Sequence, residues 1–410
     1  MDELGSSPQV IIQISEVRYF DKFEFRLNIR NRCSETFRST STSSVLKALS
    51  DELRGSIPKE CRKADADYEQ GNEERAREGF MRTVAEVGSK LFHKMIPQAA
   101  EREKFRTILA AHAGKIIQVH AAGVCIPWEA LYLAEHVASA THSDFLGWNH
   151  VVTRTVSFPY GRAEEVVSVP IKKVGLVEDE RLPSVRTRKA QGTIDHLASG
   201  IVKVALKPLL TPPDREDFLE FFFDEFEPKQ AIQFDCHVHI PHSVHTSHMQ
   251  VTRRFPLDFD TFKEVEMPDQ PFVLFNACSG GSVEWDDTEG YAGSLHAAGA
   301  VSIVAAEADL GDGFMTDFAA SFYSLNRVST TVAEALLMAR RLKLKVQKNP
   351  SALFYSLYGD TRYRLIGGGG PSVLPTLKQL TDLVAPVWPP QPGPEPDYRS
   401  NRRKTELGQA

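Results

Sequence analysis

Two short apolar runs, AIQFDCH (Ala231 to His237) and PFVLFNACSGG (Pro271 to Gly281), constrain this chain more than any other feature. Ile232 and Phe234 in the first, and Phe272, Val273, Leu274 and Phe275 in the second, give each the character of a buried strand in a parallel sheet. Each strand ends in a group that can do chemistry, His237 in one and Cys278 in the other. If the strands are neighbours, both side chains emerge at one carboxyl edge of the sheet, which is where open α/β folds place their sites.

Around these runs the chain alternates strand and helix signals. Val10, Ile12 and Ile14, then Phe23, Phe25, Leu27 and Ile29, alternate with polar residues and predict a β segment over residues 1–32, either a flanking sheet or an added edge to the main one. The Ser/Thr run from Ser34 to Ser44 reads as a loop into a helix at Val45 to Leu53. A helical, candidate regulatory region fills 33–110, with Phe80, Val84, Val87, Leu91 and Phe92 on one buried face. Residues 111–165 carry a strand at Lys115 to Val119 and a short helix opening at Pro127 of CIPWEALYL.

Over 166–366, strands at Ile171 to Val177, Val301 to Ala306 and Ala352 to Tyr358 join the two central runs. They alternate with helices at Ile194 to Val202, Arg215 to Phe223, Phe314 to Leu325 and Thr331 to Leu342. That order predicts an α/β fold with a mostly parallel sheet and flanking helices. Residues 367–410 open on GGGG, continue Pro-rich and predict a flexible tail; no lysine follows the glycines, so they are no phosphate cradle.

Composition narrows the function classes. With 48 basic against 54 acidic residues the formal charge is -6, which argues against a general nucleic-acid or acidic-membrane surface. Five cysteines without CxxC spacing argue for a reducing compartment, and no apolar run has the length of a membrane span. The expectation is a soluble, cytoplasmic protein.

The row DCHVHIPHSVHTSH holds His237, His239, His242, His245 and His248. Its HxH resembles the strand-borne motif of metal-dependent amidohydrolases, but those enzymes draw further histidines from later strands, and only His296 follows here. No metal and no cofactor is therefore expected. A cysteine reading uses more of the positions: a histidine within reach can take the thiol proton and later protonate a leaving amine. Ser279, Gly280 and Gly281 after Cys278 leave backbone N–H groups free to face an oxyanion. Against this stands the plainer reading of His237 and Cys278 as two core residues.

IPWEALYL, IQFDCH, LFNACSGG, AGAVSIVAAEADLGDGFMTDFAASFY, VAEALLMARR and LYGD occur in one order, and in that order the chain resembles the CHAT family of caspase-like cysteine peptidases, a group that includes caspases and separases. The resemblance covers residues 80 to 365. It implies His237 as base and general acid, Cys278 as nucleophile, and the backbone amides of Cys278 and Val238 as oxyanion donors. The family often has glycine where this chain has Val238. Asp235, two residues before His237, is a candidate orienter of the imidazole.

The resemblance also implies a protein or peptide substrate and activity restrained until a regulatory protein, ligand or cleavage orders the site. In bacterial relatives such activity serves antiviral defence or cell death. A catalytically silent scaffold or interaction module remains the alternative. For specificity, Glu307 and Asp309 follow the strand at Val301 to Ala306 and predict an acidic pocket for a basic residue, preferably arginine, before the cut; Asp286 and Asp287 are the second source.

Overall fold

The computed structural model describes residues 12–19, 22–29, 33–69, 73–120, 126–137, 140–155, 168–170, 174–179, 182, 208–209, 230–239, 248–250, 256–257, 261–262, 266–277, 290–326 and 331–366. In chain order the strands are β1 (Ile12–Tyr19), β2 (Lys22–Ile29), β3 (Cys33–Thr42), β4 (Ile116–His120), β5 (Val151–Thr155), β6 (Ser168–Pro170), β7 (Val174–Glu178), β8 (Pro208–Leu209), β9 (Ala231–His239), β10 (His248–Gln250), β11 (Pro256–Leu257), β12 (Phe272–Ala277), β13 (Ser302–Ala306), β14 (Tyr355–Gly359) and β15 (Arg364–Ile366). The helices are α1 (Ser43–Glu69), α2 (Glu73–Met95), α3 (Ala99–Ala110), α4 (Leu146–Asn149), α5 (Gly290–Ala297), α6 (Asp312–Asn326) and α7 (Val332–Val346).

One 13-stranded sheet runs in the order β11-β10-β9-β12-β13-β14-β5-β4-β1-β2-β3, with β7 paired to β9 and β8 to β7. Its centre is two parallel blocks of opposite direction: β7, β9, β12 and β13, then β14, β5, β4 and β1, meeting at the antiparallel pair β13 and β14. Both faces are covered. Val273, Phe275, Ile303 and Ala305 pack with Tyr291 and Leu295 of α5, while Phe272, Leu274, Val304 and Leu357 belong to the larger cluster with α6 and α7. Covering on two sides explains why all six residues of β12 are buried and none needs to be polar for solvent. The α/β architecture with a mostly parallel sheet and flanking helices is the one the sequence predicts.

The N-terminal strands extend the main sheet, because β1 pairs in parallel with β4. The Ser/Thr run departs from its reading as a loop: it is β3, paired antiparallel with β2. Phe37 and Ser39 are buried while Thr36, Arg38 and Thr40 are exposed, a two-residue period that hydroxyl side chains conceal in the sequence. Helix α1 continues through Pro58, since the stripe Leu46, Ser50, Leu53 and Ile57 stays buried up to it and Cys61 packs beyond it. At the C-terminal end, Pro350–Phe354 forms a 3-10 turn rather than the start of a strand. The Asn349 side chain accepts from the Ser351 N–H there, and the strand begins only at Tyr355. Helix α7 starts where expected, with a reciprocal cap between Thr331 and Glu334.

The helices expected at Ile194 to Val202 and Arg215 to Phe223 and the tail 367–410 lie outside the described residues. Among the described residues, no helix is long and apolar enough to cross a membrane.

Candidate functional site

The two apolar runs are adjacent strands. β9 and β12 pair in parallel from Ala231↔Phe272 to Cys236↔Ala277. β9 remains extended beyond that point, where β10 pairs with it through Gln250↔His237, Met249↔Val238 and His248↔His239. Val238 is partly buried against the α5-side cluster. The side chain of His237 and the whole of Cys278, Asp286 and Asp287 lie outside the described residues, as do the side chains of the other histidines in the row.

Directly below these strand ends sits a buried polar group of residues. Asp235 and Asn276 are register partners, 2 % and 1 % exposed. The Asn276 Nδ2 donates to Asp235 Oδ1 at 2.7 Å, and Gln233 Nε2 donates to Asp235 Oδ2 at 2.6 Å. From β14, the Tyr355 hydroxyl donates to Asn276 Oδ1, while its ring stacks on Phe318 of α6 at 3.8 Å. A carboxylate accepts and does not donate, so Asp235 fixes which end of the Asn276 amide faces it and leaves the carbonyl for Tyr355. Tyr323 of α6 stands close by. Burial, and then the Asp235 charge, push its phenol well above the ordinary range, so it stays neutral. Its hydroxyl has no hydrogen-bond partner among the described residues.

A second buried group surrounds Glu129, in the 3-10 turn Trp128–Ala130. Arg154 on β5 grips Glu129 with both terminal nitrogens, at 3.1 and 2.9 Å, and reaches Glu307 Oε1 at 2.9 Å. The Tyr358 hydroxyl donates to the same Glu307 oxygen, and Arg54 of α1 lies 3.5 Å from the other. Arg340 of α7, fully buried, is 3.8 Å from Glu129 and donates to the backbone carbonyls of Gly147 and Tyr355. Burial disfavours the Arg154 charge, but Glu129 and Glu307 outweigh it and hold the guanidinium above its usual range. Burial pulls Arg340 down to about 10.

The turn bearing Glu129 fits because two glycines face it. A Cβ on Gly88 of α2 would lie 2.3 Å from the Ala130 carbonyl oxygen, and one on Gly147 would lie 2.7 Å from Glu129 Cβ. The partner of Glu129 is not local: Arg154 is 25 residues away, on β5. The one clue was a glutamate inside an apolar box, where a charge needs a buried partner. Glu307 is 2 % exposed within this group, whereas Asp309 is exposed at the start of the loop into α6.

No protein-family model and no curated protein matches the chain. Among solved structures, a chain of the Saccharomyces cerevisiae separase–securin complex at 3.0 Å matches with a TM-score of 0.53 at 12% identity. The likeness is one of fold. The match covers 86% of this chain and 30% of the separase chain, so this chain spans under a third of that protein's length. The same complex at 2.6 Å matches with a TM-score of 0.49 and 11% identity over 85% of this chain. At 12% identity the first match shows a caspase-like architecture and nothing finer.

Proposed function

We propose that the chain is a cysteine endopeptidase that cleaves a protein substrate through a His237–Cys278 dyad. One observation carries this reading. The last described step of the β9–β12 register is Cys236↔Ala277, and the next residues in sequence are His237 and Cys278. Strand alternation would give those two positions the face already occupied by Asp235 and Asn276. Both would then stand at the carboxyl edge of parallel neighbours.

In the mechanism that follows, the His237 imidazole takes the thiol proton and the Cys278 sulfur attacks the scissile carbonyl carbon. Negative charge moves to the carbonyl oxygen, which the backbone N–H groups of Cys278 and Val238 receive. The imidazolium then gives its proton to the leaving amine, the C–N bond breaks, and a thioester remains. Water, losing a proton to the imidazole, releases the acid and restores the thiol. Each of these steps runs on groups the chain supplies itself.

For the residue before the cut, the acidic floor passes to Asp309. Glu307 is engaged by Arg154, Arg54 and Tyr358 and has little to offer a substrate guanidinium, while Asp309 is exposed. Asp286 and Asp287 keep their place as the second source of the pocket. We place the activity in the cytoplasm and under the control of a partner or ligand, as the CHAT resemblance implies, with antiviral defence or cell death as the setting.

The second reading is a catalytically silent module for protein contacts. It is favoured by the fold likeness itself, which a scaffold satisfies as well as an enzyme does, and by the separase chain's being found in complex with securin. Turnover of a peptide library by wild type and by Cys278→Ala separates the two. The peptidase reading expects hydrolysis by wild type that disappears in a variant of unchanged melting temperature. Equal turnover by both proteins would end it, and no turnover by wild type after addition of candidate partners would favour the scaffold.

A further inference from the structure

The series Tyr355–Asn276–Asp235 links side chains on three strands, β14, β12 and β9, and ends two residues below the positions proposed for the dyad. We infer that Asn276 and Tyr355 are positioning residues for the dyad: they hold the Asp235 carboxylate in the one orientation that serves His237. This rests on the peptidase reading and goes beyond it, since the sequence motifs name neither residue as functional.

Asn276 is the register partner of Asp235, so its amide meets the carboxylate across the sheet rather than along one strand. An amide has a donor end and an acceptor end, and it can rotate between them. Tyr355 fills the acceptor end, and its own ring is clamped in a parallel stack with Phe318, at an interplanar angle of 3°. Its backbone carbonyl accepts from Arg340, which is fully buried. Gln233 holds the other carboxylate oxygen from within β9. The Asp235 side chain is therefore fixed at both oxygens, by groups on two strands, with the outermost group anchored to α6 and α7.

A core that needed only stability would use apolar residues at these places. Buried polar groups that are well paired contribute modestly to stability, and they cost free energy if any member is lost. What such a network supplies is direction. An anion held two residues before His237, on the same face of a strand that stays extended to His239, would stabilise the imidazolium and with it the Cys278 thiolate. Among the described residues, the titratable groups on the elements packed around Asp235 include Tyr323 on α6, Tyr355 on β14, Glu178, its register partner on β7, and Asp179, whose backbone N–H donates to the Asp235 carbonyl. Tyr323 remains a neutral phenol, so it does not compete with the carboxylate for charge.

The test reads the thiol directly and needs no substrate. The rate of Cys278 carbamidomethylation by iodoacetamide is followed by mass spectrometry from pH 4 to 10 in the full chain. Wild type should show a thiolate limb below the ordinary thiol range, near 8.5, that is lost in His237→Ala. Asn276→Leu should move the inflection upward by at least about half a pH unit, a fall of about threefold in rate below it. Tyr355→Phe, which keeps the stacked ring and loses only the hydroxyl, should move it the same way by less. Asp235→Asn should shift it as far as Asn276→Leu, and combining the two should add nothing, because both remove one oriented charge.

Melting temperature is recorded for each variant. Inflections unchanged in Asn276→Leu and Tyr355→Phe, with only the melting temperature lowered, would show a structural network and overturn the inference while leaving the dyad intact. An ordinary thiol profile in wild type, insensitive to His237→Ala, would overturn the dyad and the inference together. Should Asn276→Leu fail to fold, Tyr355→Phe alone decides between these outcomes.

Discussion

Two polar groups lie buried in the same sheet, and they are built on different principles. Around Glu129, opposite charges compensate one another: Arg154 and Arg340 against Glu129 and Glu307, with Arg54 at the margin. Around Asp235, among the described residues, the carboxylate accepts from the Gln233 and Asn276 amides, and Asn276 in turn from the Tyr355 phenol. The first group ties together elements remote in sequence, α1, the 3-10 turn, β5 and α7, and places α1 against the residue that follows β13. The second sits between the ends of the two strands proposed to carry the chemistry. Tyr355 belongs to both, accepting from Arg340 through its backbone and donating to Asn276 through its side chain. Compensated charge fits a device for assembly; a carboxylate oriented by amides is what the proposed dyad would use.

Removing one partner from the charged group should produce the largest change in stability. Glu129→Ala leaves the Arg154 and Arg340 guanidinium groups without their shared carboxylate, and should cost about 3–5 kcal/mol, read as a lowered urea midpoint. A loss under about 1 kcal/mol would mean the group is not the compensated cluster described here.

The next effect is a pH dependence on the same side of the molecule. His150 is fully buried with its Nδ1–H donating to the Lys115 carbonyl, and burial pulls its pKa down to about 4. Because the folded value lies below the unfolded one, near 6.5, the unfolded chain takes up the proton first. Its contribution is whole above about pH 6.5 and is lost as pH falls towards 4, in total about 3 kcal/mol. The wild-type urea midpoint should fall across that window, and His150→Gln should flatten the slope. A slope unchanged in the variant would assign it to other groups.

Smaller again is Gly88→Ala, whose new methyl would meet the Ala130 carbonyl oxygen at 2.3 Å. It should cost about 1–3 kcal/mol and leave any cleavage preference untouched. The smallest stability effect and the clearest functional one belong to Asp309→Ala. Among library peptides it should cut the preference for arginine by on the order of tenfold with little change in melting temperature, the scale of one charged hydrogen bond. Glu307→Ala should do the reverse. An arginine preference lost in Glu307→Ala but kept in Asp309→Ala would reassign the acidic floor.

The sequence made the strands legible wherever burial on both faces wrote a continuous apolar run, as in Phe272 to Phe275 and Ser302 to Ala306. It failed where the signal was carried by hydroxyls: β3 has only Phe37 as a large apolar residue, so turn-forming composition masked a strand. It failed again at Pro58, where tertiary burial of Leu53 and Ile57 prevails over the helix-breaking tendency of proline. In the candidate site, strand period alone puts Asp235 and His237 on one face, which is why the sequence offers Asp235 as a candidate. The hydrogen bonds of Asn276 and Tyr355 depend on pairing across strands and on a rotatable amide, neither of which periodicity records. Glu307 was read from its strand-end position alone, and position says nothing about a buried arginine from β5.

The dyad itself is tested most directly by a peptide-based thiol trap. Wild type and His237→Ala, each shown folded by its melting transition, are incubated with the trap in the presence and absence of candidate partners, digested, and searched for the adduct. The account predicts modification at Cys278 in wild type and its loss in His237→Ala. Modification elsewhere, an adduct on Cys278 that persists without His237, or no adduct under any condition would contradict it.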